Sequence, residues 1–231
     1  MPSLQAAVPL DSVHLASHFM HAPDLIERTF PGRRSDLKRS ILREALASFN
    51  DVGIEATNIE TIRARCETSV GAIYHHFGNK EGIVAALFFA ALEDQAALRD
   101  HYLKPAQTAQ AGVEALVRSY VEWVDAQPEW ARFMFQSRFA VANGPHKDEL
   151  LTRNKQRNAQ LTEWMSDEGR REAFSHIPSE LLLSLIIGSA ESYARAWLSG
   201  RVKHSPNHYA ALLAQAAWAS ISQTPAQSAD I

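Results

Sequence analysis

The residues with the most chemical potential in this chain fall between Thr57 and Lys80. Ser69-Val70-Gly71-Ala72 opens a short helix with small side chains, and Tyr74 and His75 follow at its far end. Small residues let a helix backbone come close to base edges, and the polar tips of Tyr74 and His75 suit phosphate oxygens. Asn79-Lys80 opens the next helix, where free N–H groups, the helix dipole and a lysine favour a phosphate. Together these residues describe a helix suited to the major groove of duplex DNA. Other groupings offer less. His75 and His76 are adjacent and cannot face the same way on a helix, so they make no metal pair. His14, His18 and His21 have metal-ligand spacing only if their segment is helical, and they read as incidental histidines of an extension. Cys66 is the one cysteine, so no intrachain disulfide framework exists, and it reads as a small core residue. The sequence holds no nucleophile elbow, HExxH pair, Gly-rich phosphate loop or Cys/His cluster, so neither an enzyme, a cofactor nor a metal site is expected.

Positioning those side chains requires a set of short helices. Leu37, Ile41, Leu42, Ala45, Leu46 and Phe49 recur at three- and four-residue intervals and predict a first helix, with Ser35 as its cap and Gly53 as its stop. Thr57-Asn-Ile-Glu60 has the form of a capping box and predicts a second helix to about Arg65. Cys66-Glu67-Thr68 is then a turn, and Ser69 caps a third helix ending at His75 or His76. Gly78 stops it, and Asn79 caps a long fourth helix from Lys80 to about Leu103. Two short helices joined by a tight turn and braced by a first helix form a helix–turn–helix. Beyond Pro105 further helices are expected over 109–126, 128–140, 147–170, 179–199 and 206–222. No segment alternates as a strand would, so the chain is expected to be all-α.

Composition is compatible with this and adds little. The chain has 231 residues, 46% hydrophobic and 21% charged, as ordinary globular proteins do. Its net charge of −3 is a mild argument against nucleic acid, but the charge is uneven. From Arg33 to Lys80 eight Lys/Arg face six Asp/Glu, an excess of +2 that leaves −5 for the remainder. No apolar run is long enough to span a bilayer and no basic start precedes an apolar core, so a cytoplasmic protein without membrane contact is expected.

Thr57-Asn-Ile-Glu-Thr-Ile62, followed by Ser69-Val-Gly71-Ala-Ile-Tyr74-His-His-Phe77-Gly-Asn-Lys80-Glu81, resembles the DNA-binding domain of the TetR family of bacterial regulators over about residues 35–90. The resemblance implies a helix cap touching phosphate at Thr57. It implies base and backbone contacts at Thr68, Ser69, Val70 and Ala72, and close approach to DNA and to a neighbouring helix at Gly71. Tyr74, His75 and Lys80 match phosphate contacts, and Phe77 a core anchor. The chain departs from the family at Cys66-Glu67-Thr68, where relatives usually have Ala-Gly-Val. A positive φ there costs a non-glycine residue roughly 1 kcal/mol or more. Arg63 stands where an alanine commonly packs. Val70, often lysine in relatives, shifts readout toward thymine methyl contacts.

The domain plan that follows is an N-terminal extension over 1–34, expected to be flexible, then the DNA-binding domain over 35–90. A helical effector-binding and dimerisation domain over 91–222 and a tail over 223–231 complete it. The aromatic content of the second domain, with the resemblance, suggests a small-molecule pocket, with Trp123, Phe133, Phe139 and Trp164 as candidate lining residues. The last two helices carry apolar residues on more than one face, with Leu182, Leu185, Ile186 and Ser189 on one and Leu212, Leu213, Ala216, Ala217 and Ile221 on the other. Such helices bury a second face against a partner, and the resemblance implies a two-fold homodimer built from them. The expected function is a DNA-binding regulator, by resemblance a repressor that a small-molecule effector releases from its double-stranded operator. The alternative is a helical adaptor or ligand-binding protein that kept the motif without specific DNA binding. Glu67 near the DNA surface gives that alternative weight.

Overall fold

The structure, a computed structural model, describes residues 24–223, and every regular element among them is helical. Helices α1 (Leu25–Thr29), α2 (Asp36–Val52), α3 (Ile59–Arg65), α4 (Val70–Phe77) and the long α5 (Lys80–Leu103) come first. They are followed by α6 (Ala109–Ala126), α7 (Pro128–Asn143), α8 (Lys147–Arg157), α9 (Ala159–Ser166), α10 (Glu168–Ser175), α11 (Ser179–Leu198) and α12 (Ala210–Ser222). Short 3-10 turns at Arg33–Ser35 and Pro206–Tyr209 lead into α2 and α12.

Local chemistry fixes most of these boundaries. Gly53 at φ +89° ends α2 and Gly78 at φ +73° ends α4, conformations that disfavour any residue with a Cβ. Thr108 caps α6 by accepting from the Ala111 N–H at 3.1 Å, and Pro128 occupies the first turn of α7, where a missing N–H is harmless. Ser35 does not cap α2. Its hydroxyl turns back to the Pro31 carbonyl at 3.2 Å, because the 3-10 turn before α2 already supplies backbone bonds. The single helix expected over 147–170 is three helices. Asn158 breaks it, with a side chain that accepts from Arg99 at 3.0 Å, and Asp167 breaks it again by capping the Gly169 N–H at 3.1 Å. Asp167 offers the backbone an alternative to helix and Asn158 is held by a guanidinium from α5, and apolar periodicity reveals neither.

Two apolar cores hold the chain. The first runs without interruption from Leu25 and Ile26 through Ile41, Phe49, Ile62 and Ile73 into α5, and on to Trp123 and Phe133. The second joins Val113 and Val117 of α6 to Leu161, Ile186, Ala214 and Ile221. Residues 24–34, expected in the flexible extension, are therefore anchored. Leu25 and Ile26 are buried, and Arg28 meets Asp94 of α5 at 2.7 Å, the same carboxylate that accepts from the Trp123 indole at 2.9 Å. The segment that carries His14, His18 and His21 and the tail from 224 lie outside the described residues. No single helix among the described residues is long and apolar enough to cross a membrane.

Candidate functional site

The fold presents α4 on the surface and holds it from behind. Ile62 of α3 and Ile73 of α4 are fully buried against the first core, which sets the angle between the two helices. Ser69 caps α4 as expected, accepting from the Ala72 N–H at 3.1 Å. Ser69, Gly71, Tyr74 and His75 are exposed, with Thr68, Val70 and Ala72 half-buried beside them. Seven of the residues predicted to touch DNA thus lie on or beside the outer face of one helix.

Thr57 and Lys80 do not join that face. Asn58, not Thr57, caps α3, accepting from the Thr61 N–H at 2.9 Å. Thr57 is 1% exposed, with Oγ1 2.8 Å from the Gly53 carbonyl oxygen and 3.3 Å from that of Ser48. Lys80 Nζ donates to the Ile54 carbonyl at 2.9 Å and the Thr57 carbonyl at 3.1 Å, with the Glu55 carbonyl at 3.5 Å. The cause is the loop between α2 and α3: Lys80 serves the Ile54 and Thr57 carbonyls, which have no helical partner, and the Thr57 hydroxyl bonds back to the end of α2. Both side chains tie down that loop and so position α3.

The glycines of this region divide by what constrains them. A Cβ on Gly82 would sit 2.0 Å from the Phe77 carbonyl oxygen, so the end of α4 can approach the start of α5 only over a glycine. A Cβ on Gly71 would meet nothing closer than Ser69 Oγ at 3.9 Å. The close approach to a neighbouring helix implied for Gly71 is therefore absent within the chain. Between the two helices Glu67 adopts φ +48°, the one positive φ at a non-glycine among the described residues. The turn keeps the left-handed geometry and places a residue with a Cβ in it. Cys66 just before it is half-buried, and burial pushes its thiol pKa up, which disfavours the reactive thiolate.

Most cations near this face are engaged. Arg63 pairs with Glu60 at 2.7 Å, Arg65 with Asp51 at 3.0 Å, and Arg43 with Asp24 and Glu27 at 2.9 and 2.8 Å. Arg33 and Arg34 are exposed and make no ion pair among the described residues.

A second feature lies in the other half of the chain. A cavity of about 580 Å³ opens between α5, α6, α7, α8, α9 and α11. None of the four expected aromatics lines it. Trp123 and Phe133 are buried in the first core, where Phe133 stacks on Phe49 at 5.7 Å. Trp164 packs over Gly112 and donates to the Ala106 carbonyl at 3.2 Å, while Phe139 is 80% exposed. Aromatic rings fill cores as readily as they line pockets, so ring content was a poor guide. The walls instead carry Arg99, Arg138, Arg157 and Arg195 with Tyr120 and Glu191. A signal for this was present. Ser184, Gly188, Glu191, Ser192 and Arg195 form a polar stripe at helical spacing through an otherwise apolar α11.

The family model for bacterial regulatory proteins of the tetR family matches residues 41–87, which spans the core of α2 through the start of α5. The HTH-type transcriptional regulator BetI of Cronobacter sakazakii is 31% identical over 172 residues, covering 71% of this chain and 81% of that protein. Among solved structures, a TetR family transcription regulator from Marinobacter aquaeolei superposes with a TM-score of 0.68 at 19% identity, over 82% of this chain and 97% of its own. FadR from Bacillus subtilis, solved in complex with stearoyl-CoA, gives a TM-score of 0.60 at 16% identity, over 81% of this chain and 100% of its own. At those identities the two structures share the fold. With the helix–turn–helix in place and the relative matched along most of its length, the chain belongs to the TetR family and is a DNA-binding transcriptional regulator.

Proposed function

We propose that this regulator is a cytoplasmic homodimeric repressor whose operator is read by α4 and whose DNA affinity is set by a small molecule in the 580 Å³ cavity. The observation that carries the DNA reading is the outer face of α4. Gly71 there has no internal packing reason to be glycine, and its neighbours Ser69, Tyr74 and His75 are exposed polar groups at helical spacing. A face that open suits a surface that must come close to bases. Thr68, Ser69, Val70, Gly71 and Ala72 approach base edges and sugar-phosphate, and Tyr74 and His75 take phosphates. Thr57 and Lys80 support them from behind. Residues 35–90 supply the DNA-reading head and residues 91–222 the effector and dimer half, although the first core crosses that boundary.

The dimer face is narrower than the one read from the sequence. Ile186, Ala217 and Ile221 are used up within the protomer. Of that set Leu212 remains outside at 63% exposed, with Ser189 and Ala216 also exposed, and Leu181, outside the set read from the sequence, adds a further exposed leucine on α11 at 41%. Exposed leucines flanked by small residues suit a partner helix at close range. Two-fold pairing sets the two α4 helices about 34–36 Å apart, one turn of DNA, which implies a partly palindromic site.

Selection of genomic fragments bound by the full chain tests the reading. The expected result is enrichment of a short palindrome whose binding weakens steeply with salt. No specific enrichment at low salt would favour the adaptor alternative.

A further inference from the structure

The charges around the cavity are not balanced. Glu191 serves two guanidiniums, Arg138 at 3.3 Å and Arg195. Arg99 is spent on its neighbour Asp100, the Asn158 side chain at 3.0 Å and the Arg157 carbonyl at 2.6 Å. Arg157 makes no ion pair among the described residues, and its Nε is buried with no hydrogen-bond partner. Burial, reinforced by Arg99 and Arg138, lowers its pKa to about 10, which still leaves it charged at neutral pH. The walls therefore hold two cations more than the protein neutralises. Beside them Tyr120 lines the cavity, and burial together with Glu191 pushes its phenol pKa up, so it stays a hydroxyl donor. An apolar patch of Leu116, Leu161, Leu183 and Ile187 lies on the same wall, among uncharged polar groups such as Ser119, Ser184 and Ser192.

We propose that the cavity binds an amphipathic organic anion, its carboxylate or phosphate on Arg157 and Arg138 and its apolar body against Leu116, Leu161 and Ile187. The proposal rests on the cavity being the effector site and gives that effector a chemical class. A planar guanidinium with unused donors matches a two-oxygen anion in geometry as well as charge, and a cation left unpaired in a partly buried site gains most from such a partner. A neutral or cationic guest would leave the excess charge standing or add to it.

Calorimetric titration of the full chain with four probes of equal chain length tests this: decanoate, decyl phosphate, decanol and decyltrimethylammonium. Both anions should bind at least about tenfold more tightly than decanol, and the ammonium more weakly than decanol. The ranking of the two anions identifies the head group. Arg157→Met should weaken both anions by about tenfold or more, and Arg157→Lys, which keeps the charge, by less. Equal affinity for decanol and the anions, tighter binding of the ammonium, undiminished anion binding to Arg157→Met, or no binding of either anion overturns the proposal. Should Arg157→Met fail to fold, the wild-type ranking and Arg157→Lys still decide it. Operator release is scored separately. Anion binding without loss of operator affinity would leave the anion site standing and remove its role as effector site.

Discussion

Replacing Glu67 by glycine should make this protein both more stable and a tighter DNA binder, through two separable causes. Glu67 sits at φ +48° in the turn between α3 and α4. The left-handed conformation costs an L-residue with a Cβ about 1–2 kcal/mol, and glycine removes that. Glycine also makes the unfolded chain freer, which takes back about 0.5–1 kcal/mol. The net gain is about 0.5–1 kcal/mol, or roughly 1–4 °C in Tm for a chain of this size. The second cause is charge. Glu67 is exposed beside the DNA-reading helix, and one negative charge about 8 Å from a phosphate costs roughly 0.5 kcal/mol in water before screening, or about twofold in affinity. Glu67→Gln removes the charge and keeps the strain. Glu67→Asn also removes the charge, with a side chain that tolerates this conformation better. Thermal unfolding should therefore rank glycine above asparagine above glutamine. Fluorescence anisotropy on a selected operator fragment should show all three tighter than wild type by a similar factor. A glycine variant no more stable than the glutamine variant would refute the strain reasoning, and a glutamine variant with unchanged affinity would refute the charge reasoning.

Other substitutions test other parts. Gly71→Ala should fold as well as wild type or better by up to about 1 kcal/mol, yet lose operator affinity. Gly82→Ala should instead lose about 1–3 kcal/mol of stability by overpacking against the Phe77 carbonyl, read as a lower Tm. Thr57→Val should cost about 1–2 kcal/mol in denaturant titration and leave the operator affinity of the folded protein nearly unchanged. A loss of operator affinity of about fivefold or more in the folded variant would mean that Thr57 touches a phosphate after all. Leu212→Asp should yield monomers in sedimentation equilibrium and abolish cooperative operator binding, since one half-site alone binds far more weakly; dimers persisting in that variant would move the interface elsewhere. Phe133→Leu should keep cavity binding, measured by calorimetry, while weakening the effect of cavity ligands on operator affinity. Full ligand-driven release in that variant would exclude the stacked Phe49–Phe133 pair as the link.

The parts of this structure that were legible in the sequence are those decided within a few residues. Ser69 and Asn79 cap the helices that their positions predict, Gly53 and Gly78 stop the ones before, and the turn kept its left-handed residue. Where two neighbours compete for one task, local pattern misled. Thr57 and Asn58 are both good caps, and Asn58 caps because the carbonyls of Ser48 in α2 and Gly53 just after it claim the threonine hydroxyl. Lys80 has the same history, since a lysine at a helix start is read as a phosphate ligand until the carbonyls of Ile54 and Thr57 are found within its reach. The cavity was illegible for a different reason. Arg99, Arg138, Arg157 and Glu191 come from four helices and meet only through the packing of α5, α7, α8 and α11, which no short window encodes.

The same packing joins the cavity to the DNA-reading head through one helix. α7 carries Phe133, stacked on Phe49 of α2, and five residues later Arg138, on the cavity wall and bonded to Glu191 of α11. Five residues span about 7.5 Å of a helix, so both groups ride on one rigid segment. Its start is pinned to the head as well, because Asn50 of α2 donates to the Glu129 carbonyl at 3.1 Å. An anion drawing Arg138 from Glu191 would load α7, and α7 cannot move without displacing Phe49 and with it the helix that braces α3 and α4. The first core is continuous from head to body and close-packed cores transmit such displacement rather than absorb it. The size of the response is then bounded by the ligand's preference for one position of α7 over the other. A hundredfold change in operator affinity needs about 2.7 kcal/mol of that preference, more than a bond to the half-exposed Arg138 alone supplies, so the ligand's other wall contacts must share it. Arg138, which the anion would contact, and Glu191, which it would displace, are therefore expected to matter to release as well as to affinity.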